Sequence, residues 1–169
     1  EDDVTDKKFQ VEDQKRKLAQ QMFELTSSKR LKQVKAAYNE KRSEVAILVK
    51  ESGNDRERHI LSEIIAREQN FINSTNPEKI QQVTDELSRL EWGILMRTPD
   101  FLNAMFAHLV ERRASMNDQI QASQLIDSGK RASARGDVEE LRLINGRLWD
   151  LMPAVEQASD EMRAYTGIV

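Results

Sequence analysis

The sequence has no cysteine, and it has only three prolines, six glycines and few aromatic residues among its 169 positions. The absence of cysteine excludes disulfides, thiol nucleophiles and thiolate metal sites. Scarce proline and glycine argue against a fold built from strands and tight turns, and the length is sufficient for one sizeable core. No apolar run approaches the roughly 18 residues that a membrane span requires. These absences favour a helical protein without membrane spans.

Charged residues are abundant but balanced. Lysine and arginine number 26 against 29 aspartates and glutamates, so the net charge is -3. This balance gives no indication of a nucleic-acid partner or of binding to a membrane surface. The N-terminus has no signal-peptide pattern, and we expect a cytoplasmic protein. Because the sequence begins with Glu1 rather than methionine, we also expect it to be a fragment of a longer chain.

Apolar side chains recur with helical spacing along the whole sequence, and no segment alternates with the period of a strand. The pattern predicts helices at about 6–26, 31–51, 55–74, 76–96, 98–128 and 137–152, and a last helix from Pro153 to about Tyr165. The apolar stripe slips by one residue at 26–28, which is either a short turn or a register defect in one long helix. The predicted fold is all-α, an antiparallel bundle of about six or seven helices with a long N-terminal helix or helix pair.

Two regions differ in character along the chain. Residues 1–51 form a long, charged amphipathic region, and residues 52–169 form the helical bundle. The heptad-like run at 6–51 is polar enough to project from a core. We expect this region either to project or to continue into the bundle as part of one domain.

The tripeptide Arg135-Gly136-Asp137 has the form of an integrin ligand, but its residues also fit a break between helices. Asp137 precedes Glu140 by three residues, which is the spacing of a capping box. Gly136 can end the preceding turn in a left-handed conformation. We interpret the tripeptide as structural.

Two tryptophans are candidates for contact with a partner. Trp149 flanks the apolar stripe of its helix, which favours a core position over an anchor for a partner. Trp92, together with Leu95 and Met96, makes the end of the 76–96 helix apolar on all sides. Such an end is either buried by several neighbours, which we favour, or covered by a partner.

Charged residues interrupt two of the apolar stripes. Glu68 lies in the stripe of the 55–74 helix, and Lys41 lies in the stripe of the helix before it. Antiparallel pairing across the turn at Gly53 brings the two within about one helical turn. We predict a buried ion pair between Glu68 and Lys41, with Arg113 as the alternative partner, since an unpaired buried carboxylate is strongly unfavourable. The alternative is a carboxylate that extends to solvent at the edge of a thin bundle.

No set of residues has the spacing of a catalytic or ligand site. His59 and Glu63 stand at i,i+4, but structural metal sites normally use four ligands. A glycine-rich phosphate loop is absent. The basic run at 29–42 lacks interleaved aromatics, so we interpret it as a solvated face, with complementarity to the acidic region 137–161 as the alternative. We therefore expect neither cofactor, nor metal, nor enzymatic activity.

The stretch NSTNPEKIQQVTDELSRLEWGIL, residues 73–95, is a capped helix that follows a charged helix pair. Over about residues 39–96 this arrangement resembles the C-terminal helical lid of DnaK-type, seventy-kilodalton-class heat-shock chaperones. The resemblance implies a lid or accessory bundle that closes over a client peptide held elsewhere. The ATP-binding signatures and the peptide-binding β-domain of these chaperones have no counterpart in this sequence.

Two functional hypotheses follow from the sequence. The first is a non-catalytic protein-interaction module of the chaperone-lid type. The second is a structural coiled-coil protein that dimerises through residues 6–51. Both predict a protein or peptide partner, which is an upstream domain, a client or a second copy of the chain, and neither predicts a nucleic acid or a membrane.

Overall fold

The computed structural model describes residues 2–158, with side chains from Phe9 onward, and this part of the chain is helical without any strand. The helices are α1 Asp2–Ser52, α2 Asp55–Ala66, α3 Glu68–Phe71, α4 Pro77–Leu95, α5 Pro99–Glu111, α6 Gln119–Arg135, α7 Val138–Asp150 and α8 Ala154–Gln157. A 3₁₀ turn at Arg113–Ser115 lies between α5 and α6. The predicted all-α class with a long N-terminal helix is confirmed.

Helix α1 is continuous through the slip in its apolar stripe. The Thr26 hydroxyl donates to the carbonyl of Met22 at 2.7 Å, as a threonine within a helix can. The slip is therefore a register defect and not a turn. Since each residue advances the helix by about 100°, the stripes before and after the slip lie on faces more than about 100° apart. The second stripe alone faces the rest of the described chain.

The first core is formed by the C-terminal half of α1 with α2, α3 and α4. Its buried apolar residues are Tyr38, Val45, Val49, Leu61, Ile64, Phe71, Ile80, Val83, Leu87, Leu90 and Ile94. Helix α1 makes its most extensive contact with α4. The two helices run in the same direction, because Lys41 contacts Glu91 and the Ser52 carbonyl contacts Arg97. Helix α2 returns antiparallel to both.

The second core is formed by α5, α6, α7 and the 3₁₀ turn. Its buried residues are Leu102, Met105, Phe106, Leu109, Met116, Ala122, Leu125, Ile126, Ala132, Leu141, Ile144, Leu148, Trp149 and Met152. Asn145 is fully buried here and donates to the carbonyl of Leu102 at 3.0 Å, which ties α7 to α5. Gly129 gives room to the Phe106 ring, since a Cβ at this position would lie 2.2 Å from that ring.

Two predicted helices were wrong in extent. The predicted helix 98–128 is two helices, because the Asp118 side chain accepts from the amides of Ile120 and Gln121 and starts a new one. Gly129, the predicted stop, lies inside α6 because close packing requires a small residue there. The predicted helix 55–74 breaks at Arg67. Of the predicted last helix, α8 covers only Ala154–Gln157, and positions beyond 158 lie outside the described residues.

The structural interpretation of Arg135-Gly136-Asp137 is confirmed. Gly136 has φ of 69°, the left-handed conformation of a helix C-cap. The Asp137 carboxylate accepts from the amide of Glu140 at 3.0 Å. The Glu140 carboxylate pairs with Arg135. All three residues therefore serve the junction between α6 and α7.

Candidate functional site

The N-terminal half of α1, residues 2–28 and here named the α1 arm, precedes the first core. The core begins at Leu31, the first α1 residue that packs against it. One face of the arm presents an apolar stripe, with exposed fractions of 48% at Val11, 59% at Leu18, 62% at Met22 and 72% at Leu25. Phe9 and Phe23 are exposed as well, at 78% and 72%, and their spacing places them on the opposite face of the helix. Within the described part of the chain nothing covers this stripe. Lone exposed apolar residues are ordinary, but an aligned row of them is typical of an interaction surface.

Local ion pairs stabilise the arm as a helix. Asp13 contacts Lys17 at 2.7 Å and Arg16 at 3.0 Å, and Lys15 contacts Glu12 at 3.4 Å. The hydrogen bond from Lys17 lowers the pKa of the Asp13 carboxyl. Such exposed pairs add only slightly to the stability of a helix. The arm therefore has local support for helicity but no tertiary contact along its apolar face.

The rest of α1 is not available to a partner in the same way. Tyr38 and Val45 are fully buried, and Val49 nearly so, against helices of the same chain. A dimer through the whole of residues 6–51, as the sequence suggested, would compete with this core. Part of α1 beyond the arm is exposed as well, as Ile47 is at 60%, but the row of apolar residues that no described residue covers lies in the arm.

The predicted pairing of Glu68 with Lys41 or Arg113 was wrong. Glu68 is 17% exposed and accepts from the Tyr38 hydroxyl at 2.9 Å, while Arg42 lies 3.3 Å from the same oxygen. Lys41 pairs instead with Glu91 at 2.9 Å. The reason is geometric, because successive α1 residues point about 100° apart, so Lys41 faces α4 and Arg42 faces α3.

Arg113 also has a local contact. It lies in the 3₁₀ turn and donates to the Ser123 hydroxyl at 2.6 Å. The predicted helix that would have carried Arg113 towards Glu68 ends at Glu111. The alternative partner for Glu68 is therefore removed by a helix boundary that the sequence pattern did not reveal.

The candidate contact residues lie mainly inside the protein. Trp149 is 7% exposed in the second core, which confirms its interpretation as a core residue. Trp92 is half-buried and meets the Phe101 ring edge-on, with ring centroids 5.7 Å apart. Met96 is partly buried against the second core, and Leu95 is partly buried as well. These residues therefore offer a partner less apolar surface than the arm does.

A polar clamp holds the ends of three helices together. Asn54 and Glu57 form a reciprocal capping box at the start of α2, with bonds of 2.8 and 2.9 Å. Arg97, just after α4, donates to both carboxylate oxygens of Glu57 and, at 2.9 Å, to the carbonyl of Ser52. The Arg97 hydrogen bond is the main reason that the pKa of Glu57 is lowered. The capping box could have been found by its spacing, but the contribution of Arg97 could not.

Replacing Arg97 with alanine is expected to lower the free energy of unfolding by about 1–2 kcal/mol at neutral pH. This is the contribution of a hydrogen bond to a charged group, reduced because Arg97 is partly exposed. A lowered pKa means that the stabilisation is present above the unfolded pKa of glutamate and is lost as pH falls through the lower, folded value. The difference between wild type and variant should therefore shrink in acid. Urea unfolding at several pH values measures this, with Arg142→Ala, from an exposed pair with Glu139, as the near-neutral control. A difference independent of pH would contradict the assignment.

A groove lies between α2 and α4. It consists of two depressions of about 590 and 530 Å³ that share Ile60 and Glu86 in their walls. Its charged groups neutralise one another, as Arg67 and Glu86 do. The groove presents neither a nucleophile beside a base nor convergent unpaired donors, so it shows no catalytic arrangement.

One pair of potential metal ligands lies on α2. His59 and Glu63 lie 3.5 Å apart on an exposed face of α2. Within the described part of the chain no group of three or more histidines, cysteines or acids could hold a metal ion. None of the helices there is long and apolar enough to cross a membrane.

Comparison with known proteins adds no family to these observations. No protein-family model, curated protein or solved structure matches this chain. The geometry of the molecule is therefore the basis for a functional assignment.

Proposed function

We propose that this chain is a non-catalytic helical protein-interaction module and that the α1 arm is its contact surface. The observation that carries the proposal is the exposed row of Val11, Leu18, Met22 and Leu25 on a helix that extends ahead of the first core. An amphipathic helix normally buries such a stripe. A helix of this kind in a groove or against another helix is a common mode of protein recognition.

The first core supports this surface. The C-terminal half of α1 packs against α4, with a smaller contact to α2, so the arm leaves the first core in a defined direction. Surfaces on rigid elements lose less conformational entropy on binding than flexible segments do. The arm is thus suited to present its stripe to another protein. We place the module in the cytoplasm.

The chaperone-lid resemblance offers a more specific version of this proposal. The residues that carry it form the end of α1, α2, α3 and α4. In that version the bundle closes over a client peptide held by an upstream domain. This version remains a prediction from the sequence.

A photo-reactive amino acid placed at Leu18 tests the interaction proposal in cells that express the full chain. We expect illumination to form covalent adducts with protein at this position. The matched control is the same amino acid at Leu143, which is 57% exposed on α7 in the second core. Equal labelling at both positions, or no adduct at Leu18, would contradict an interaction through the arm.

A further inference from the structure

The α1 arm has a charge pattern as well as an apolar stripe, and together they indicate its partner. Val11, Leu18 and Leu25 are seven residues apart, and Met22 follows Leu18 by four, so the first three fit the d positions of a heptad and Met22 fits an a position. In this register Lys15 and Lys29 occupy the neighbouring a positions. The arm therefore combines aliphatic d positions with largely basic a positions.

A parallel pairing of two arms is disfavoured by these lysines. In a parallel dimer each a position faces the same position of the second copy, so Lys15 would face Lys15 and Lys29 would face Lys29. The acidic start of α1 would also lie against itself. Like charges set directly opposite each other oppose association.

An antiparallel pairing removes these conflicts. In the register that pairs a with d positions and sets residue 2 level with residue 31, Val11 lies level with Met22 of the second copy and Leu18 lies level with Lys15. A lysine can lay its aliphatic stem along leucine and keep its ammonium in water. Every layer between residues 11 and 22 then holds at least one aliphatic side chain.

The same register makes the ends of the two arms complementary in charge. In the sequence, residues 2–6 include three aspartates, and residues 27–31, which lie level with them in this register, include Lys29 and Arg30. Antiparallel alignment places residue 3 level with residue 30 of the other chain. The acidic start of each arm then runs beside the basic run of its partner, which favours this orientation.

The length of the arm fits this alignment. Position 2 of one chain lies level with position 31 of the other, which is where the first core begins. Two arms can thus overlap over their whole free length, about 45 Å at 1.5 Å per residue, without the partner helix entering the core of its mate.

We infer that the α1 arm binds a second copy of this chain as an antiparallel helix pair, with the two-fold axis between Arg16 and Lys17. This inference rests on the proposed function, since it names the partner of the same surface. The contact surface per chain is small, so the dimer is of the weak class, with dissociation in about the micromolar range.

Sedimentation equilibrium of the full chain over about a hundredfold range of concentration tests the association. We expect a monomer–dimer equilibrium for the wild type and a dissociation constant raised about tenfold or more by Leu18→Asp. Ser27→Asp is the matched control, because this exposed position lies half a turn from Leu18 on the same helix, and it should leave the equilibrium unchanged. Circular dichroism of both variants establishes that the cores remain folded.

Disulfide trapping tests the orientation of the two helices without interference from native thiols, because the chain contains no cysteine. Cysteine pairs link only when their Cβ atoms come within about 4.5 Å. We expect Val11→Cys and Met22→Cys proteins to form a disulfide with each other when mixed, and neither to link efficiently to itself. Efficient self-linking of each variant would establish a parallel pair and overturn the inference.

A monomer at every concentration would also overturn the self-pairing. If photo-crosslinking at Leu18 then captures a different protein, the interaction module stands and only its partner changes. If neither the chain itself nor another protein is captured, the proposed function fails as well. The two failures are therefore distinguishable.

Discussion

Replacing Tyr38 with alanine is expected to lower the free energy of unfolding of the first core by about 3–5 kcal/mol, as for other large aromatic residues cut to alanine in a core. Tyr38 is fully buried on α1 and meets the Phe71 ring of α3 edge-on, with centroids 5.2 Å apart. Its hydroxyl donates to Glu68. The substitution leaves a cavity and removes a hydrogen-bond donor from a largely buried carboxylate.

The conservative variant separates these two effects. Tyr38→Phe keeps the ring and should cost less, about 1.5 kcal/mol, the lower end for a hydrogen bond to a charged group. Urea unfolding followed by Trp92 fluorescence, in a Trp149→Phe background, reports on α4 and therefore on the first core. Equal losses for the alanine and phenylalanine variants would mean that the hydroxyl, and not the ring, is responsible. Burial also raises the pKa of the Tyr38 hydroxyl, with Glu68 as the second cause, so it stays protonated at neutral pH.

Replacing Trp149 with alanine is expected to destabilise the second core by a similar amount, about 3–5 kcal/mol. Trp149 lies on α7 among the residues of that core and is almost fully buried. If it were instead an anchor for a partner, its loss would weaken binding and leave the isolated chain stable. The measurement is thermal or urea unfolding of the chain by circular dichroism.

Leu143→Ala is the control for this experiment. Leu143 is on the same helix but exposed, so its replacement should change the free energy of unfolding by no more than about 0.5 kcal/mol. A Trp149→Ala variant as stable as Leu143→Ala would contradict the core assignment. The comparison holds helix propensity nearly constant, because both variants introduce alanine into α7.

The apolar stripe of the arm is exposed, whereas the apolar stripe in the rest of α1 is buried. A register slip at Thr26–Ser28 moves the apolar stripe to another face without ending the helix. The half after the slip packs into the first core, and the apolar stripe of the half before it is not covered by any described residue. A single continuous helix therefore connects an exposed apolar stripe to a folded unit.

The sequence by itself determined the helical class, the positions of the main caps and the apolar stripes. These depend on local chemistry, such as the amide-accepting side chains of Asn54, Asn76 and Asp137, and on the spacing of residues within one turn. The apolar stripe of the arm is also visible in the sequence, but the sequence left open whether other helices cover it.

Only the tertiary structure decided which charged groups meet and where helices stop for reasons of packing. Lys41 and Arg42 are neighbours in sequence, and the packing of α4 and α3 against different faces of α1 decides that Glu91 takes one and Glu68 the other. Gly129 reads as a helix stop in isolation, yet the Phe106 ring fills the space its missing side chain leaves. Long-range contacts of this kind depend on the angles between helices, which residue spacing does not contain.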